Sequence, residues 1–323
     1  MPKIVLSAGP LHDPAVARSL APAGFELAVV PPASAALREA LADAEYLIGA
    51  AEPWMDDAFY RGAPRLRLIQ LVSAGYDRAD IEAARRAGVP IANNGGANAV
   101  AVAEHTLLLM LAVSRRLVVQ HVNVAAGRWR GNDPASLSLS ELAGKTLGIV
   151  GLGTIGKKVA RLARAFGMDV LYYDTARLSE DAADALGVRF RLFGEVLAGS
   201  DIVSLHVPLN AATRGMIGAA EFSLMRPGAI LINTCRGAVV DEAALHDALT
   251  AGALAGAGLD VFAQEPPPAD NKLLALDTVV LTAHLAGPTR DNQYTRFRNA
   301  FDNIGRVARG DRPLWVIPEL REG

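Results

Sequence analysis

Three glycines near the middle of the chain have a spacing that suits the binding of phosphate groups. Gly151, Gly153 and Gly156 follow an apolar, β-branched run and precede a segment with helical periodicity. In that context the first glycine permits a tight turn, the second lets the backbone approach a pyrophosphate, and the third lets the helix pack closely on the strand. The helix N-terminus then offers N–H groups to phosphate oxygens. The segment therefore predicts a dinucleotide site.

An acidic residue closes the next apolar run. Asp174 ends the run that begins at Met168 and lies about 18 residues beyond Gly156, where an acid contacts the ribose in such sites. A carboxylate accepts hydrogen bonds from the ribose hydroxyls of NAD, whereas it would repel the 2′-phosphate of NADP. We therefore predict NAD. Arg177 keeps NADP open as an alternative if it binds a 2′-phosphate and is not simply a solvated charge.

Three residues with catalytic potential follow later strand-like runs. Arg236 comes directly after a buried run, Glu265 lies in a proline-rich loop, and His284 ends the last run. Ligands of open parallel sheets bind at the carboxyl ends of the strands, which is where we expect these residues. Each has an ordinary alternative: a surface ion pair for Arg236, a solvated loop position for Glu265 and a core histidine for His284.

These residue types suit the reduction of a 2-keto acid. A planar guanidinium can bind a carboxylate through two parallel hydrogen bonds and polarise a carbonyl. An imidazole donates a proton near neutral pH, and a carboxylate on its other ring nitrogen favours the protonated form. The hydride itself comes from a nicotinamide.

Strand-like runs alternate with alanine-rich helical stretches along the whole chain, which predicts parallel sheets covered by helices. The glycine-rich turn opens near residue 145, so a complete α/β unit must precede it. An amphipathic helix at Thr289–Val307 is expected to return to that first unit. We predict an α/β fold of two Rossmann-like, doubly wound domains. The NAD-binding domain (98–289) is inserted into a substrate-binding domain (1–97 plus 290–323).

Composition excludes several classes of protein. The 323 residues are 51% hydrophobic, and 32 basic residues nearly balance 34 acidic ones, which argues against a nucleic-acid partner. The longest apolar stretch, Ala99–Val113, is interrupted by Glu104 and His105, so no membrane partner is expected. A single cysteine, Cys235, and an N-terminus that reads as a strand indicate a cytoplasmic protein. No metal site is predicted.

The motifs around Arg236, Glu265 and His284, with the segments 205–217 and 98–106, resemble the D-isomer-specific 2-hydroxyacid dehydrogenase family. The motifs match the family over nearly the whole chain and occur in the same order. Within the family, the chain is similar to glyoxylate/hydroxypyruvate reductases and to phosphoglycerate dehydrogenases without their regulatory domain. By this resemblance Arg236 binds the substrate, His284 is the acid/base and Glu265 pairs with it. A small 2-keto or 2-hydroxy acid is the implied substrate.

The resemblance also implies a set of binding contacts. The residues assigned to NAD are Gly151, Gly153, Thr154, Ile155 and Gly156 at the pyrophosphate, Asp174 at the ribose, Val207 and Pro208 at the adenine, Thr213 near the phosphates, and Thr234, Cys235 and Asp260 at the nicotinamide ribose and carboxamide. The substrate carboxylate is assigned to the backbone N–H groups of Ala74 and Gly75. The Cys235 thiol has no chemical role in this assignment.

The apolar helix Ala99–Leu117 and the following Val118–Val124 carry more hydrophobic surface than one domain needs, and the family dimerises there, so a homodimer is expected.

Glu265 argues against a formate dehydrogenase, because those enzymes usually have a glutamine at the corresponding position. A phosphite-type dehydrogenase and a dinucleotide-sensing corepressor remain as alternatives. Glyoxylate, hydroxypyruvate, pyruvate and bulkier keto acids all stay open as substrates. Trp54, Tyr76 and Trp129 are expected in the core or an interface.

Overall fold

The computed structural model describes residues 1–131 and 137–321. The chain forms two compact units, one made of Met1–Asn98 with Gly287–Gly323 and the other of Ala99–Ala286. We call them the outer unit and the inserted unit. The inserted unit is continuous in sequence, whereas the outer unit is assembled from two segments.

The outer unit contains a five-stranded parallel sheet in the order β2-β1-β3-β4-β5. Its strands are β1 (Lys3–Ser7), β2 (Glu26–Val30), β3 (Tyr46–Gly49), β4 (Leu68–Leu71) and β5 (Ile91–Ala92). Its first helices are α1 (Pro14–Leu20), α2 (Ala35–Leu41), α3 (Asp57–Gly62) and α4 (Ile81–Ala87). Every residue of β3 and β4 is buried, as expected for strands covered on both faces. Each helix starts at an Asp or Ser whose side chain accepts a first-turn N–H.

The inserted unit contains a seven-stranded sheet in the order β12-β11-β10-β9-β6-β7-β8, and all its strands are parallel. Its strands are β6 (Thr146–Val150), β7 (Asp169–Tyr173), β8 (Val188–Phe190), β9 (Ile202–Leu205), β10 (Ala229–Asn233), β11 (Leu254–Leu259) and β12 (Val279–Leu281). Its helices are α5 (Ala99–Ser114), α6 (Leu117–Ala125), α7 (Thr154–Ala165), α8 (Glu180–Leu186), α9 (Phe193–Gly199), α10 (Ala219–Leu224) and α11 (Glu242–Thr250).

Each sheet has a point at which the strand order reverses. In the inserted unit β7 and β8 extend the sheet on one side of β6, and β9 then pairs on the other side. In the outer unit the same reversal lies between β1 and β3. Such points open a crevice at the carboxyl ends of the strands, where ligands of doubly wound folds bind. The prediction of two doubly wound parallel-sheet domains is confirmed.

Two predicted helices have different limits in the structure. The helix predicted at Ala99–Leu117 ends at Ser114, because Arg116 adopts a left-handed conformation (φ 51°) and α6 begins after it. The last helix, α12, spans Gln293–Ala308 and not Thr289–Val307, because the residues before it form a turn in which Thr289 and Asn292 hydrogen bond to each other. Within the described residues, no helix combines the length and apolar character that crossing a membrane requires.

Candidate active site

The glycine-rich turn joins β6 to α7. Gly151 has φ +96°, and a Cβ there would lie 2.7 Å from the carbonyl oxygen of His206. A Cβ at Gly156 would lie 2.3 Å from the carbonyl oxygen of Gly151. A Cβ at Gly153 would meet no protein atom within 4 Å. Packing therefore requires the first and third glycines, whereas the second borders space that a ligand can fill.

The N-terminus of α7 has no side-chain cap. The first-turn N–H groups of a helix have no partner within the helix, so those of Thr154 and Ile155 are available to an anion. Asp174 lies beside this turn: its Oδ2 accepts the Leu152 N–H at 2.7 Å and its Oδ1 accepts the Ala176 N–H at 2.9 Å. The structure thus places the predicted ribose-binding acid next to the predicted pyrophosphate site. The guanidinium of Arg177 stacks on the ring of Phe190, 5.0 Å from its centroid.

Arg236 lies in the turn after β10, and the buried side chain of Asn233 holds this turn. Asn233 Nδ2 donates to the Arg236 carbonyl at 2.9 Å, and its Oδ1 accepts the Cys235 N–H at 3.1 Å. Arg236 Nη1 donates to the Cys235 carbonyl at 2.7 Å. A Cβ at Gly237 would lie 1.8 Å from the carbonyl carbon of Phe262, so only glycine permits this approach of the two turns. The approach brings the loop that carries Glu265 against the Arg236 turn.

Glu265 and His284 form a hydrogen-bonded pair. Glu265 Oε2 lies 2.7 Å from His284 Nδ1, and Glu265 Oε1 accepts the Phe262 N–H at 3.1 Å. Partial burial alone would raise the pKa of Glu265, but the hydrogen bonds from His284 and Phe262 and the positive charges of His284 and Arg236 lower it below its ordinary value. Among the described residues, no group hydrogen bonds to the other ring nitrogen of His284, Nε2. The imidazole is thus held from one side and open on the other.

The backbone around His284 is held by Asp260. His284 itself is left-handed, with φ +54°, which is uncommon for a residue other than glycine, and its N–H donates to the Asp260 carbonyl at 2.7 Å. The fully buried Asp260 carboxylate accepts the N–H groups of Leu285 and Ala286 at 3.0 and 2.9 Å and the Thr282 hydroxyl at 2.6 Å. These contacts fix the segment that carries His284. The contact of Asp260 with the nicotinamide part of the cofactor stays a prediction.

Other residues predicted to contact the cofactor line the ends of β9 and β10. Thr213 Oγ1 donates to the Pro208 carbonyl at 2.6 Å and closes the loop that begins at Val207. Thr234 Oγ1 lies 3.1 Å from the hydroxyl of Thr106 on α5. Burial raises the pKa of Cys235 to about 11, so its thiol stays protonated at neutral pH.

Two further histidines have structural contacts. His206 Nε2 lies 2.9 Å from the Ser204 hydroxyl, and burial lowers the pKa of His206 to about 3, so this ring is neutral. His105 Nε2 lies 2.9 Å from Thr282 Oγ1 and 3.6 Å from Asp260 Oδ1, which places it behind the His284 segment.

In the outer unit, the loop after β4 carries Ala74 and Gly75. Its shape is set by Ser73, whose hydroxyl donates to the Gly75 carbonyl at 2.9 Å. Tyr76 donates to Glu319 at 3.2 Å, and burial raises the pKa of Tyr76 to about 12. Within the described residues the N–H groups of Ala74 and Gly75 donate no hydrogen bond. The loop thus presents two backbone donors without a protein acceptor.

The three large aromatic residues differ in their surroundings. Trp54 packs edge-on against Phe59, with centroids 5.4 Å apart, and Tyr76 packs at the edge of the same hydrophobic cluster. Trp129 is 76% exposed, so it does not lie in the core of this chain, and its place in an interface stays a prediction.

Residues 107–286 match the sequence profile of the D-isomer specific 2-hydroxyacid dehydrogenase NAD-binding domain. The chain belongs to the D-isomer-specific 2-hydroxyacid dehydrogenase family. The match covers most of the inserted unit, including the glycine-rich turn and the segments of Arg236, Glu265 and His284. The predicted family, the NAD cofactor and the enzyme class, an NAD-dependent D-2-hydroxyacid dehydrogenase, are confirmed.

Relatives of this dehydrogenase extend over nearly its full length. A glyoxylate reductase of Korarchaeum cryptofilum is 39% identical over 284 residues, which are 88% of this chain and 85% of that protein. The crystal structure of a glyoxylate reductase from Paecilomyes thermophila superposes with a TM-score of 0.86 at 30% identity, covering 99% of both chains. A D-lactate dehydrogenase from Aquifex aeolicus, complexed with NAD and lactic acid, gives a TM-score of 0.81 at 29% identity over 96% of both chains.

Two residues have roles at this site that the sequence analysis does not predict. Asn233 ends β10 and its amide holds the Arg236 turn, and the available signal was an asparagine directly at the end of a buried strand. The cofactor contact predicted for Asp260 stays a prediction, and the structure adds its side-chain contacts to the backbone and hydroxyl groups around His284.

Proposed function

We propose that this enzyme reduces a 2-keto acid to the D-2-hydroxy acid with NADH, and that Arg236, Glu265 and His284 are its catalytic residues. The observation that carries the proposal is the 2.7 Å pair of Glu265 and His284 with the second ring nitrogen open. NAD, when bound, supplies or accepts the hydride. The protein residues bind the acid, orient it and move one proton.

The proton step uses the two ring nitrogens of His284 differently. The Glu265 carboxylate, whose pKa is held low, stays ionised and keeps Nδ1 protonated. Nε2 then gives its proton to the carbonyl oxygen during reduction and takes one from the hydroxyl group during oxidation. The left-handed backbone and the contacts of Asp260 keep the ring in one position for both directions.

Arg236 binds the carboxylate and polarises the keto oxygen. Its guanidinium can present two parallel N–H groups, which suit a planar carboxylate better than a single ammonium does. The contacts of Asn233 hold the turn that carries Arg236 and limit the positions of its backbone. The guanidinium of Arg236 is therefore oriented before the substrate arrives.

Residues 98–289 are proposed as the NAD-binding domain. Gly151, Gly153, Thr154, Ile155 and Gly156 would hold the pyrophosphate, Val207 and Pro208 the adenine, Thr213 the region near the phosphates, and Thr234, Cys235 and Asp260 the nicotinamide end. Asp174 would accept the ribose hydroxyls and so favour NADH over NADPH. The stacking of Arg177 on Phe190 supports the same preference, because it gives this cation a partner within the protein.

Residues 1–97 and 290–323 are proposed as the substrate-binding domain. The open N–H groups of Ala74 and Gly75 would bind the substrate carboxylate. Backbone donors in a loop shaped by its own hydroxyl group need little rearrangement to hold an anion.

A homodimer and a cytoplasmic location complete the proposal. Six apolar side chains on α5 and α6 are each between 48% and 54% exposed, and a second copy of the chain would cover them: Val100, Leu108, Leu117, Val118, Val122 and Val124. The single cysteine with a protonated thiol suits a reducing compartment.

The direct test is steady-state oxidation of NADH with a panel of 2-keto acids, followed by chiral analysis of the product. The expected result is turnover of at least one 2-keto acid to the D-hydroxy acid, with NADPH a poorer donor. Turnover of phosphite with NAD in place of any keto acid, or binding of NADH without turnover, would overturn the proposal.

A further inference from the structure

A buried arginine in the outer unit lacks an acidic partner. Arg296 lies on α12 and is 8% exposed. Its Nε donates to the Val72 carbonyl at 2.8 Å, and its Nη1 is buried without a hydrogen-bond partner among the described residues. No Asp or Glu of the described chain forms an ion pair with it. A buried cation with an unused donor is costly, which indicates that the group it serves is not among the described residues.

His12 adds a second donor beside Arg296. Its ring packs edge-on against Phe297, the next residue of α12, with centroids 6.4 Å apart. Its Nδ1 accepts the Gly9 N–H at 3.0 Å, so the neutral ring carries its proton on Nε2. Burial and the charge of Arg296 lower the pKa of His12 to about 4, so the ring is neutral at pH 7. The two side chains together offer one positive charge and one neutral N–H.

These donors lie where a ligand of this fold binds. His12 follows the carboxyl end of β1, and Val72 follows the carboxyl end of β4, on the edge of the sheet at which the strand order reverses. The Val72 carbonyl, which Arg296 contacts, is two residues from Ala74, and two residues span at most about 7 Å. Arg296 is therefore next to the loop proposed above for the substrate carboxylate.

We infer that Arg296 and His12 form a second anion subsite that binds a carboxylate at the far end of the substrate. The preferred substrates are then 2-keto dicarboxylic acids and the matching D-2-hydroxy diacids. One guanidinium with one neutral donor balances the single charge of a carboxylate, whereas a phosphate dianion would be left half compensated. The substrate class rests on the proposed function, but the subsite does not.

The kinetic test compares two keto acids of equal chain length, 2-ketoglutarate and 2-ketopentanoate, which differ only in the terminal carboxylate. The wild-type enzyme should have the higher kcat/KM with the diacid. Arg296→Met should lower the ratio of the two kcat/KM values about 10- to 100-fold, the value of a lost charged hydrogen bond. His12→Phe, which keeps the aromatic contact with Phe297 and removes the donor, should lower it less. Arg298→Met, an exposed arginine of the same helix, is the matched control and should leave it unchanged.

A binding test separates the subsite from the activity. At equal ionic strength, glutarate should raise the Tm of the wild-type protein more than butyrate does, and Arg296→Met should abolish the difference. A glutarate effect without turnover of any keto acid would refute the proposed function and leave the subsite standing. Turnover that favours 2-ketopentanoate, with no glutarate effect on the wild-type Tm, would overturn the subsite and leave the function standing. The two wild-type measurements, the kcat/KM ratio of the keto acids and the Tm shift with glutarate, test the subsite even if the Arg296→Met variant fails to fold.

Discussion

The two units differ in the acidic partners of their imidazole groups. In the inserted unit a carboxylate lies next to two histidines at or behind the proposed site: Glu265 Oε2 is 2.7 Å from His284 Nδ1, and Asp260 Oδ1 is 3.6 Å from His105 Nε2. In the outer unit Arg296 and His12 are close to each other, and no carboxylate of the described residues hydrogen bonds to either. Both units share the parallel, doubly wound architecture, so this contrast comes from side chains and not from topology.

The difference shows how one architecture can serve two tasks. A histidine paired with an acid within the same unit can keep one nitrogen fixed and exchange a proton at the other. A set of hydrogen-bond donors with no carboxylate beside it can bind an anion. Substitutions in the inserted unit should therefore change rates and pH dependence, whereas substitutions at Arg296 should change which acid is preferred.

The largest effect is expected at His284. His284→Ala should lower kcat for keto acid reduction about 10²- to 10⁴-fold, because the positioned proton donor is lost. NADH affinity, measured by fluorescence titration, should stay near that of the wild type. His246→Ala on α11 is the matched control and should keep wild-type kcat. A His284→Ala enzyme with near-normal turnover would remove the proton-transfer role from the inserted unit.

Arg236→Lys should have the next largest effect. It keeps the positive charge but loses one arm of the fork, so kcat/KM should fall about 10- to 100-fold, the value of a charged hydrogen bond. Arg214→Lys, an exposed arginine of the same unit, serves as the comparison. Equal losses in the two variants would mean that the fork geometry of Arg236 is not used.

A smaller effect is expected at Asp174. Asp174→Asn should reduce the preference for NADH over NADPH about tenfold, since the repulsion of a 2′-phosphate is removed and a charged hydrogen bond to the ribose is weakened. The measurement is the ratio of kcat/KM for the two cofactors. Arg177→Ala should leave this ratio unchanged if the arginine only stacks on Phe190. A wild-type enzyme that prefers NADPH would contradict this account.

Much of the inserted unit could be predicted from sequence because its signals are local. Gly151, Gly153 and Gly156 are close together in the chain, and the positions of Gly151 and Gly156 reflect the packing of one turn. Asp174 follows at the end of the next strand, where the parallel register of β6 and β7 brings it back to the turn. The strands of the outer unit could also be predicted from their apolar runs.

The proposed second anion subsite of the outer unit could not be predicted from local sequence signals. Arg296 and Val72 are brought together only by the return of α12 to the first sheet, and nothing in the spacing of the sequence encodes that contact. The polar residue on the buried side of an otherwise amphipathic helix was the available signal. Asp260 shows the same limit, since only the fold reveals that its carboxylate holds the segment of His284.

The pH profile of Glu265→Gln tests the central claim most directly. Reduction requires protonated His284, and the negative charge of Glu265 at 2.7 Å favours that form. Removing the charge should move the limb at which activity is lost with rising pH to lower pH. NADH affinity should be unchanged. A Glu265→Gln profile that coincides with the wild-type profile would show that the pair does not set the proton step, and the mechanism proposed here would be wrong.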